Sequence, residues 1–140
     1  MKRIVIFCIL VVIAITVLLV MKITSPGVLF KKNIIDPIPK SIANLKVKKD
    51  MGAMHGALAF SFTASQDDIN AIIKHTGLKE HKEIPDIISQ IIGRFAKIEW
   101  WEPLNNFKQM KIFGKADESG SDYHALFLFI DGNKVYCIEV

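Results

Sequence analysis

Four histidines and a scatter of carboxylates are the residues in this chain best suited to chemistry. The stretch "HTGLKEH" sets His75 and His81 on either side of a glycine, with Glu80 and Glu83 beside them. Two imidazoles and a carboxylate can hold zinc with one coordination position left open. The competing reading is a solvated loop between two helices, with His75 complementing the negative end of a helix dipole. The solvated loop is favoured, so no metal and no cofactor is expected. His124 stands two residues after Asp122, which puts both on one face of an extended strand, and Asp131 is a further carboxylate nearby. Asp122, however, belongs to "SGSD", where turn chemistry alone accounts for an aspartate. His55, just before Gly56, is read with His124 as a structural residue. The chain has no phosphate-cradling glycine loop, no paired histidines around a helical glutamate, no CxxC and no serine elbow. No catalytic residue is assigned.

The stretch "IEWWEP" carries both tryptophans of the chain. Neighbouring side chains of an extended backbone point to opposite faces, so Trp100 and Trp101 are not expected to enter the same core. One should cap the sheet and the other remain partly exposed. Exposed tryptophan is typical of binding hot spots and of membrane-interface belts, and the flanking Glu99 and Glu102 argue against an anionic membrane surface. Trp100, Trp101 and Pro103 are therefore the candidate partner-binding residues. Lys46 and Lys48, with Lys40 and Lys49 nearby, form the densest basic cluster after the first 32 residues. They suit a charged edge strand that discourages pairing, or a contact with anionic lipid headgroups.

These residues need a scaffold, and the N-terminal part is not available for one. Residues 4–21 are 18 in a row without a charge, mostly aliphatic, which as a helix gives about 27 Å against a hydrocarbon core of about 30 Å. A cleaved signal would need a shorter apolar run and a small-residue cleavage site, and a lipoprotein signal is disfavoured by Phe7 before Cys8. The segment is read as a retained transmembrane signal anchor after a tail of residues 1–3. Lys2 and Arg3 precede it and Lys22, Lys31 and Lys32 follow it, so the charge-bias rule does not orient it. A short cytoplasmic tail and an extracytoplasmic folded part are expected. Five of the 18 basic residues fall within residues 1–32, leaving 13 against 14 acidic ones. The chain's net charge of +4 thus belongs to the membrane flank, and nucleic acid is not an expected partner. Cys8 and Cys137 cannot pair within one molecule if Cys8 lies in the membrane. Both are read as small buried apolar residues, with an intermolecular disulfide at Cys137 as the alternative.

Residues 22–40 contain three prolines and no periodic pattern, which predicts a stalk, with Ile34, Ile35 and Ile38 packed on the domain edge. Residues 41–140 should form the folded domain. "ANLKVKK" and "ALAFSFTA" alternate with period two. "SQDDINAIIKHTG" reads as a helix capped by Ser65 and ended by Gly77, and "IPDIISQIIGRFAK" as a second, in which Gly93 would permit close approach to a sheet. Three strands follow, with "DGNK" as a hairpin turn and "YHALFLFID" apolar enough to be buried on both faces. The order ββααβββ predicts an α+β domain: an antiparallel sheet of about five strands with both helices on one face. No motif assigns a family. The functional expectation is a single-pass membrane-anchored envelope protein, a non-enzymatic protein-interaction module acting as an accessory subunit or a neutralising partner. The alternatives are a small hydrolase using His75, His81 or His124, or a lipid-facing structural module.

Overall fold

The computed structural model describes residues 2–50, 56–102, 109–117 and 124–140. It opens with α1 (Lys2–Ile23), whose residues 6–23 are long and apolar enough to cross a membrane and are not buried by the rest of the protein. Lys22 in its last turn complements the negative end of the helix.

Only Thr24 and Ser25 separate α1 from a second helix, α2 (Pro26–Asn33). A helix thus occupies part of the segment read as a stalk. Pro26 occupies the first turn, where its missing N–H is not needed. Phe30 is fully buried and stands edge-on to Phe60 and Phe62, with centroids 5.8 and 5.1 Å away. Ile34 is buried beside it, and Ile35 and Ile38 pack at the margin. The prolines suggested chain breakage, but a two-turn helix docked through one phenylalanine has too few residues to show a period.

The remaining elements are β1 (Ala43–Asp50), β2 (Ala57–Thr63), α3 (Gln66–Thr76), β3 (Lys79–His81), α4 (Asp86–Arg94), β4 (Lys111–Asp117), β5 (His124–Asp131) and β6 (Lys134–Glu139). The strands form one antiparallel sheet in the order β1-β2-β6-β5-β4-β3. The fold is α+β, with six strands rather than five. The additional strand, β3, lies in the stretch read as a solvated loop, and its three residues pair with Ile112 to Gly114 of β4. Three residues carry no periodicity of their own, so pairing alone makes them a strand.

The helices also depart from expectation, because they cover opposite faces. Leu58, Phe60 and Phe62 of β2, Leu126 and Leu128 of β5, and Val135 and Cys137 of β6 pack with Ile69 and Ile72 of α3 and Phe30 of α2. The alternate residues Ala57, Ala59, Phe127, Phe129, Tyr136 and Ile138 meet Ile88, Ile91 and Ile92 of α4, then Phe95 and Trp101. The chain changes face by running through β3 at the far edge of the sheet. The alanines of β2 give α4 and the tryptophan turn room to lie close. Gly93 faces open space instead of the sheet.

Local signals set the ends of α3. Ser65 Oγ accepts the Asp68 N–H at 3.3 Å, and Gly77 closes the helix at φ 69°. Ser41 ties this cap to the chain before β1, donating its N–H and Oγ–H to Asp68 Oδ2 at 3.0 and 2.6 Å. Those bonds hold the Asp68 carboxyl below its ordinary range.

Candidate functional site: a polar groove beside Trp100

After α4 the chain is turned by successive short bonds. Ile98 N–H donates to the Phe95 carbonyl and Trp101 N–H to the Ile98 carbonyl, each at 2.9 Å. The two indoles therefore diverge from a turn. Trp101 is buried at 4 % exposure, against Phe95 and Tyr136, both with centroids 5.6 Å away. Trp100 is half-buried and packs edge-on against Trp101 at 6.1 Å. Pro103 lies outside the described residues.

Trp100 forms part of the wall of a groove of about 470 Å³. Glu99 and Glu102 belong to the same wall. Asn44 and Lys46 of β1, Ser61, Phe62 and Thr63 of β2 and Lys134 of β6 line the remainder. Two candidates more than fifty positions apart in sequence, Lys46 and Trp100, thus border one site. Lys48 is exposed on the same side of β1, whereas α2 packs on the opposite side with Leu45 and Val47. β1 is an edge strand with an irregular register between Ala43 and Lys46, and Asn44 there has φ 54°. Such bulges redirect side chains at sheet edges and beside functional sites.

Two of the lining residues form a charge pair. Lys134 Nζ donates to Glu102 Oε1, and the ammonium lies 5.3 Å from the centre of the Tyr136 ring. The bond from Lys134 holds the Glu102 carboxyl below its ordinary value and raises the Lys134 ammonium in return. Tyr136 lies beside this pair and its phenol is pushed up to about 12, chiefly by burial. Its hydroxyl is buried beside Glu102 and Lys134, which both act on it, whereas the Trp101 Nε1–H is buried without a hydrogen-bond partner among the described residues. Buried polar groups are nearly always paired, so this exception marks the corner as unusual.

The histidines separate. His75 and His124 line a second cavity, of about 410 Å³, with Lys115 and Glu139. Burial raises the Glu139 carboxyl, and His124 and Lys32 partly offset this. His81 belongs to the opposite face, where its Nε2–H donates to the Gly114 carbonyl at 3.1 Å and its ring lies 5.5 Å from that of Phe127. A zinc site using His75 with His81 is therefore ruled out by position. Among the described residues no group of three or more His, Cys, Asp or Glu could hold a metal. Asp131 lies at the other end of β5 from His124, and His55 and Asp122 are outside the described residues. Cys137 is fully buried and its thiol pushed well up by that burial, which overturns the intermolecular disulfide.

Glu102, Lys134, Tyr136 and Asn44 were not legible as site residues. Each sits where turn or strand chemistry explains it, and only the pairing of β1, β2 and β6 brings them under the tryptophan turn. Comparison with protein-family models, with curated proteins and with solved structures finds no match for this chain.

Proposed function

We propose that this is a single-pass membrane-anchored, non-enzymatic interaction module of the cell envelope, which engages a partner through the Trp100 groove. Residues 4–21 serve as a retained anchor and the domain lies outside the cytoplasm. The role is that of an accessory subunit or a neutralising partner. One observation carries the reading: of two adjacent tryptophans, Trp101 is consumed by the core while Trp100 remains half-buried at the wall of a groove. Tryptophan in that setting is characteristic of binding hot spots. The placement of Lys46 beside the same groove supports a role there in preference to lipid contact.

The test is crosslinking in intact cells with tagged full-length protein, comparing the wild type with Trp100→Ala and Lys46→Ala. Loss of a captured partner in Trp100→Ala at normal protein abundance is expected. Unchanged capture in both variants would remove the groove from the interaction. A second reading, a small hydrolase, rests on His75, His124 and Glu139 sharing a cavity, and it requires a hydrolytic activity lost in His124→Ala.

A further inference from the structure

We infer that the Trp100 groove binds a neutral saccharide unit, with the apolar C–H face of the sugar laid on the Trp100 ring and its hydroxyls bonded by Glu99, Glu102, Lys134 and Asn44. The inference rests on the reading of this groove as the contact surface and names what the partner presents to it.

The first argument is charge. The lining carries two ammonium groups, Lys46 and Lys134, and two carboxylates, Glu99 and Glu102. A polyanion or a polycation would meet like charge on one side of the groove, whereas an uncharged ligand meets none. The second is polarity. Apart from Trp100, and from Phe62 whose ring is buried against Phe30 on the other face of the sheet, the residues lining the groove offer hydroxyls, an amide, ammonium groups and carboxylates. An aliphatic anchor would find one ring to rest on and no pocket to enter. A pyranose presents an apolar face and a rim of hydroxyls, each able to donate and accept. Outside α1, only Val28 and Ile87 among the described residues are exposed large apolar side chains, so the described residues offer no broad apolar patch for a partner.

The third argument is the unmet hydrogen bonding. Trp101 is at least nine-tenths buried, and its N–H has no partner among the described residues. Tyr136 is covered by a long, part-exposed lysine side chain, Lys134. Movement of that side chain onto a bound hydroxyl would open the Tyr136 hydroxyl to the same ligand or to a water it carries. The fourth is the edge strand. The positive-φ Asn44 places an amide at the rim, and its Nδ2 reaches Thr63 Oγ1 only at 3.5 Å, a long bond that a ligand hydroxyl can replace.

The test uses the full-length protein in a sugar-free detergent, titrated with cellotriose, maltotriose and chitotriose while tryptophan emission is followed. A saturable change with at least one trisaccharide is expected, at a Kd in the range of about 0.1 to 10 mM. Trp100→Ala should abolish it, Trp100→Phe retain part of it, and Glu102→Gln and Asn44→Gly weaken it by about 10-fold. No saturable change with any of the three up to about 10 mM overturns the inference, as does binding that survives in Trp100→Ala. If the sugars fail while Trp100→Ala still loses its partner in cells, the interaction module stands and the saccharide falls. If a sugar binds, protease treatment of the crosslinked product separates the sources: a protease-resistant adduct is a polysaccharide, and a sensitive one is a glycan on a protein.

Discussion

The Trp101 indole stands edge-on to the Tyr136 ring, with centroids 5.6 Å apart and planes at 84°. Both residues are buried, and together they support the turn that carries Trp100. Edge-to-face contact of this kind adds to the area that each ring buries. Trp101→Ala should therefore destabilise the domain by about 3–5 kcal/mol, the usual cost of removing a large buried aromatic. Trp100→Ala, which removes a half-buried ring, should cost about 1–2 kcal/mol. Urea unfolding of the two variants checks this, and equal losses would mean that Trp100 is as structural as its neighbour.

Gly114 in β4 faces the Phe127 ring of β5 so closely that a Cβ there would lie 2.3 Å from a ring carbon. No side chain fits without moving the ring, which His81 also contacts. Gly114→Ala should destabilise by about 1–3 kcal/mol through overpacking. The double variant Gly114→Ala with Phe127→Leu should recover part of that loss. A non-additive thermal denaturation cycle is the expected outcome.

The Glu102–Lys134 pair predicts how stability responds to pH. The folded state lowers the Glu102 carboxyl. Its contribution is therefore complete above the ordinary value of 4.5 and is lost as pH falls through the lowered folded value. Lys134 is raised, so its contribution is complete below the ordinary 10.5 and is lost as pH rises through the raised folded value. The stability difference between wild type and Glu102→Gln should be flat between those limits and shrink on the acid side. It should not exceed about 1 kcal/mol, because both side chains are partly exposed. Midpoints of thermal unfolding measured across pH test the shape.

Phe30 lies in the segment that its prolines suggested was a tether, yet it fills the core beneath β2. Phe30→Ala should cost about 3–5 kcal/mol. A fragment beginning at residue 41 should be less stable than one beginning at residue 25 by a similar amount. Chemical denaturation of the two fragments decides it, and equal stability would place the domain boundary after α2.

Much of the local structure was legible because its causes are local. Eighteen uncharged residues are long enough to span a bilayer whatever follows them. Ser65 and Gly77 end α3 through their own side chain and backbone, and period-two alternation made β1 and β2 strands. "ALAFSFT" also showed that β2 has a large and a small face. Tertiary structure decided which layer each face receives, because a helix of either sequence position can reach either side once the connection passes the sheet edge at β3. It made a strand of Lys79–His81 and a core residue of Phe30, since elements of one or two turns or three residues show no period until something pairs with them. It also assembled the groove. Lys46, Trp100 and Lys134 are far apart along the chain, and only the antiparallel register of β1 on β2 and β2 on β6 brings them to one side of the sheet.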